Sequence, residues 1–105
     1  MNNQELLDYL DKHQEAKELT LRGIDQFNNG NLEAALSAFE ESLEINSYAI
    51  PNLLYHSLCC FSLIRSRTES NPGEPADPET QKHIQDMISS LETVINLMNI
   101  INFRL

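Results

Sequence analysis

One stretch constrains this chain more than any other. Gly23 lies four residues before Phe27, Asn28-Asn29-Gly30-Asn31 follows, and Leu32-Glu-Ala-Ala-Leu-Ser-Ala-Phe39 comes next. Ala16, Leu19, Thr20, Gly23 and Phe27 fall on one face at steps of three and four, the spacing of an amphipathic helix. Asn and Gly tolerate the left-handed backbone that ends helices, and Asn31 is placed to cap the next one. In that second helix Leu32, Ala35, Leu36, Phe39 and Leu43 line one stripe, while Glu33, Glu40, Glu41 and Glu44 lie largely opposite. The pattern predicts two helices joined by a tight turn, crossing where side chains are small. Gly23 is expected to face the Ala35 region, with Phe27 and Phe39 filling the space on either side.

The rest of the chain is helical by the same logic. Leu6, Leu7, Tyr9 and Leu10 give residues 3–14 a short helical pattern, expected to run into the helix at 16–28 because no Gly or Pro intervenes. Residues 49–65 are apolar nearly all round, which predicts a central helix covered on more than one side, with Pro51 tolerated in its first turn. Residues 66–78 carry three prolines and a glycine and read as a flexible loop. Asp77-Pro78 is a cap followed by a first helical residue, opening a final helix over 79–102. The expected fold class is all-α, a single domain of 1–105 with about four to five helices.

The first pattern recurs. At a shift of 34 residues Ala16 falls on Ile50, Leu19 on Leu53, Gly23 on Ser57 and Phe27 on Phe61. At a shift of 52, Leu32, Ala35, Leu36, Phe39, Ser42 and Leu43 fall on Ile84, Met87, Ile88, Leu91, Val94 and Ile95. The two shifts differ by an 18-residue insertion at the Pro-rich loop. A unit of 34 residues is a known helix-turn-helix repeat length.

On Gly23, Gly30, Ala35, Phe39 and Asn29-Gly-Asn-Leu-Glu-Ala-Ala-Leu-Ser-Ala-Phe-Glu-Glu-Ser-Leu-Glu44, the chain resembles the tetratricopeptide repeat (TPR) family. Residues 16–49 match well, 50–65 moderately, and 80–102 only by pattern. Ser42 stands where the family usually has Ala, Ser47 where it has Pro, and Met87 where it has a small residue. The resemblance implies antiparallel helix-turn-helix repeats in a short right-handed solenoid or bundle. Repeat 1 would be 16–49, and repeat 2 would be 50–65 plus 79–102, with 66–78 as the insertion.

Charge and chemistry narrow the function. The 16 acids and 7 bases leave a net charge of −9, and residues 1–49 hold ten of the acids against three bases. Such a surface repels nucleic acid and anionic membranes, so neither is expected as a partner. Cys59 and Cys60 are adjacent and cannot bridge without strain, which points to a reducing, intracellular, cytoplasmic setting. The N-terminal residues do not have the form of a signal peptide, and no apolar run approaches the ~20 residues of a membrane helix. His13, His56 and His83 lie in different helices with no second His or Cys one turn away in metal-site spacing, except that His56 precedes Cys59 and Cys60. Neither a phosphate-binding loop nor a nucleophile turn is present. The expectation is a non-enzyme without cofactor or metal.

The TPR resemblance implies a groove lined by the first helix of each repeat. The matching positions are Thr20, Ile24 and Asn28, then Tyr55, Leu58 and Ser62. Members that clamp a carboxyl terminus carry Asn where Ile24 and Tyr55 stand, so an apolar helix or peptide with basic flanks is the expected partner. Two alternatives stand beside this adaptor reading. One is a self-associating subunit, dimerising through the apolar end of the last helix from Ile100 to Leu105. The other is a three-helix domain similar to microtubule-interacting-and-transport domains, which share the Gly-x-Leu-Glu-Ala-Ala-Leu style of second helix.

Overall fold

Asn2 starts the first helix, its side-chain oxygen accepting the Glu5 N–H at 2.8 Å. In the computed structural model, which describes residues 2–104, α1 then runs unbroken over Asn3–Asn28. Residues 3–14 therefore do continue into the helix that follows. Gly30 takes a left-handed φ of +81° and turns the chain. Asn31 occupies the cap position of α2 (Leu32–Ile45) but makes no side-chain cap bond. Its amide instead donates to Gln26 Oε1 at 2.8 Å, tying the turn to the end of α1.

After Asn46 the chain enters α3 (Ile50–Ser70), with Pro51 in the first turn, where its missing N–H costs nothing. α3 outlasts the expected boundary, since residues 66–70 are helical rather than loop. Nothing before Asn71 breaks the helix, whereas Pro72 disfavours helical backbone at the residue before it. Hydroxyls of Thr68 and Ser70 donate back to the Ile64 and Ser66 carbonyls, satisfying themselves within the helix. The connection is thus residues 71–77, turning at Gly73 with φ +83°. Asp77 caps α4 (Pro78–Arg104), accepting the Thr80 N–H at 2.7 Å.

The four helices are the only regular structure among the described residues. α1 packs on α2, α3 packs on α4, and α2 packs on α3; α1 barely touches α3, and the backbones of α1 and α2 stay apart from that of α4. At 1.5 Å per residue the 26 residues of α1 span about 39 Å and the 14 of α2 about 21 Å. The surplus falls at the start of α1, where residues 2–15 are exposed throughout.

The core lies where α2 meets α3. Ala35, Leu36, Phe39, Cys59, Cys60 and Leu63 are buried together, with Ile24, Phe27, Leu32, Tyr55 and Met87 packed against them. Gly23 lies against Phe39 itself: a Cβ there would sit 2.5 Å from the ring's Cε1. The nearest atoms at this crossing all belong to the Phe39 ring, one turn after Ala35 on α2.

One expectation about the second half holds and one changes. α3 is central and covered on more than one side, since it contacts both α2 and α4. Leu54, Leu58 and Phe61 remain about half exposed in a row on its solvent side. In α4 the inward seam is Thr80, His83, Met87, Ser90, Val94 and Leu97, while Ile88, Leu91 and Ile95 face outward. Burial pairs Ala35 with His83, Leu36 with Ile84, Phe39 with Met87 and Ser42 with Ser90. The matching shift is 48, one helical turn from the 52 that apolar residues suggest. Counting apolar side chains misplaces the seam because three of its members are polar and are buried on other grounds.

Candidate functional site

Packing a 26-residue helix against a 14-residue one leaves a groove where α2 ends and α3 begins. It encloses about 350 Å³, between His13, Lys17, Leu21 and Ile24 of α1 and Pro51 and Asn52 of α3. Its wall is mostly apolar, and Lys17 is its single lysine or arginine. Thr20 and Ser42 hold the α1–α2 side: their hydroxyls lie 2.8 Å apart, and both donate to the Ala16 carbonyl. Asn52 is buried at this site and its Nδ2 donates to the Phe39 carbonyl, but its Oδ1 has no partner. A buried acceptor without a donor costs roughly 1–3 kcal/mol, a local strain on the α2–α3 junction.

Two of the six residues expected to line a groove lie in the wall of this one. Thr20 and Ile24 line it. Tyr55 stacks on Phe39, ring centroids 5.8 Å apart, and so serves the core. Leu58 is half exposed in the solvent-facing row of α3. Ser62 borders a shallow depression with Gly30 and Leu32, its hydroxyl bound to the Leu58 carbonyl. Asn28 is exposed at the end of α1 and lines neither cavity.

Beside the expected Ile24 and Leu58, further apolar residues that the sequence reading did not assign to a groove extend it. Leu6, Leu10, Leu21 and Ile24 recur along α1 at helical steps, and Leu6, Leu10 and Leu21 are about half exposed. Pro51, Leu54, Leu58 and Phe61 do the same along α3, beginning in the groove wall. The signal was present in the spacing, but apolar spacing alone does not distinguish a buried stripe from an unpartnered one.

The polar seam of α4 carries the other chemistry. His56 is buried, and its Nδ1 lies 2.8 Å from the Ser90 hydroxyl. Burial lowers its pKa from 6.5; Glu40, 3.9 Å from Nε2, and Asp86 oppose that shift, and Lys82 and His83 add to it. Cys60 Sγ is 3.9 Å from the same nitrogen, but burial pushes its thiol up to about 12. Cys59 donates to the Leu32 carbonyl, and burial raises its pKa to about 11. Thiols held this firmly protonated are poor nucleophiles and poor metal ligands.

His83 differs from His56. It is 4% exposed, and neither ring nitrogen has a hydrogen-bond partner. Its Nε2 lies 3.8 Å from Glu79 Oε1, beyond hydrogen-bonding distance. Glu79 Oε2 is held by Arg67 at 2.7 Å, and Arg67 also binds Asp77 at 3.0 Å. From α2, Glu33 brings a carboxylate oxygen to within 4.8 Å of the Glu79 and His83 ligand atoms. The Glu79-x-x-x-His83 spacing is legible in sequence, though a search for His and Cys partners passes over it. Glu33 comes from another helix and is brought in by the fold.

No family model, curated protein or solved structure matches the chain. Among the described residues no helix is long and apolar enough to cross a membrane.

Proposed function

We propose that this chain is a non-enzymatic interaction module that takes an apolar helix or peptide against α1 and α3. The carrying observation is the apolar groove whose walls continue into two solvent-facing rows, Leu6-Leu10-Leu21 on α1 and Leu54-Leu58-Phe61 on α3. The net charge of −9 favours basic flanks on the partner and faster encounter with it. A TPR-like pairing of the four helices in the cytoplasm is part of the same reading, with α1 and α3 as groove-lining helices.

The test compares proteins retained by the wild-type chain with those retained by Leu21→Glu and by Ser37→Glu. Leu21 lines the groove, whereas Ser37 is exposed on α2 outside it. Partners lost with the first variant and kept with the second support the groove. Equal retention by both contradicts it, provided their helical content matches the wild type.

Self-association is a second reading favoured by one observation. Ile95, Met98, Ile100 and Ile101 near the end of α4 are each 46–57% exposed. The remainder of that expected dimer surface, Leu105 and the side chains of Phe103 and Arg104, lies outside the described residues. Light scattering across a concentration series checks it: a rising mass that Ile101→Glu abolishes supports a dimer, and a constant monomer mass rejects it.

A further inference from the structure

We infer that Glu33, Glu79 and His83 form a binding site for a divalent transition-metal ion of the zinc class, joining the first turn of α2 to the first two turns of α4. Three observations from two helices meet here. His83 is buried with both nitrogens unpartnered, and its Nε2 points toward Glu79 Oε1 at 3.8 Å. Glu79 stands one helical turn before it, so the pair already shares a face of α4. Glu33, second residue of α2, completes a set whose ligand atoms all lie within 4.8 Å of one another.

The distances fit a metal better than a hydrogen-bonded cluster. Zinc binds imidazole nitrogen and carboxylate oxygen at about 2.0–2.2 Å, which puts tetrahedral ligand atoms roughly 3.4 Å apart. The Nε2–Oε1 spacing of 3.8 Å is close to that, and the exposed carboxylate of Glu33 is free to close the rest by side-chain rotation. An imidazole with two carboxylates favours a borderline cation over magnesium or calcium, which prefer all-oxygen sets. Three protein ligands leave a fourth position for water. Arg67 does not block the site: it engages Glu79 Oε2 and leaves Oε1 facing the histidine. It also fixes the carboxylate, as groups behind a metal ligand commonly do.

The consequence is mechanical. The backbones of α2 and α4 stay apart, so the two helical pairs are held together mainly by α2 against α3. A metal here would tie the residue after the turn at 29–31 to the residues after the loop at 71–77. It would clasp the two pairs at their turn-bearing end. This site is independent of the groove, and neither proposal depends on the other.

The experiment is titration of the full chain with zinc chloride alone, followed by calorimetry and by thermal unfolding. The expected result is one zinc per chain and, at about a hundred times the dissociation constant, a rise in Tm on the order of 10 °C. Glu33→Gln and His83→Gln should each weaken binding by ~tenfold or more. Glu41→Gln, at an exposed position of α2 outside the set, should bind as the wild type does. Glu33 is exposed, so its variant remains informative even if His83→Gln does not fold. No binding by the wild type, undiminished binding by Glu33→Gln, or loss of binding in Glu41→Gln would each overturn the site.

Discussion

Gly23 and His56 show how single residues set the stability of this chain. In an exposed helix interior, replacing Gly with Ala is favourable by roughly 0.5–1 kcal/mol. At Gly23 the sign should reverse, because the new Cβ would sit 2.5 Å from the Phe39 ring. We expect Gly23→Ala to destabilise by about 1–3 kcal/mol in urea unfolding, the usual cost of overpacking. A stabilised variant would mean that the α1–α2 crossing has room to spare. His56 is buried with a pKa lowered from 6.5, so folding favours its neutral form. Its contribution is fully present above 6.5 and is lost as pH falls from there toward the lower folded value, because the unfolded chain then binds the extra proton. Tm should therefore fall between about pH 7.5 and pH 5.5, and His56→Gln should fall less. Equal losses in both proteins would assign the effect to other groups.

At the scale of the helices, what was legible in the sequence divides along a physical line. α1, α2 and the Gly30 turn were readable because their buried residues are small or apolar and local, from Ala16 and Gly23 to Ala35 and Phe39. The seam of α4 was not. Thr80, His83 and Ser90 are buried in it, while Ile88, Leu91 and Ile95 stay outside. A polar residue is buried where a partner from elsewhere meets it, as His56 meets Ser90, and one sequence does not reveal that partner. The loop boundary failed for a related reason: Ser66, Thr68 and Ser70 look like loop residues, yet two of the three satisfy their hydroxyls within α3. Of the expected groove residues, Thr20 and Ile24 lie in the groove wall and Leu58 in the exposed row of α3, while Tyr55 packs on Phe39. Ser90→Ala tests the seam by leaving the His56 ring without its 2.8 Å partner. It should cost about 1–3 kcal/mol, read as a lower urea midpoint, whereas Ser89→Ala on the exposed side should cost little.

The whole molecule is elongated, 57 by 32 by 22 Å, and its apolar surface is distributed unevenly. The buried core is small and centred on α2 and α3, whereas the start of α1 and the end of α4 carry Leu6, Leu7, Tyr9, Leu10, Met98, Ile100 and Ile101 half exposed. On the groove side, Leu21 of α1 and Leu54, Leu58 and Phe61 of α3 are also about half exposed. The central claim is that the binding face is the groove side of α1 and α3. Its most direct test is photo-crosslinking with a benzophenone amino acid placed at position 21 or at position 37, in the presence of cell extract. The account predicts a discrete crosslinked species from position 21 and none from position 37. Equal crosslinking from both, or none from position 21, would contradict it.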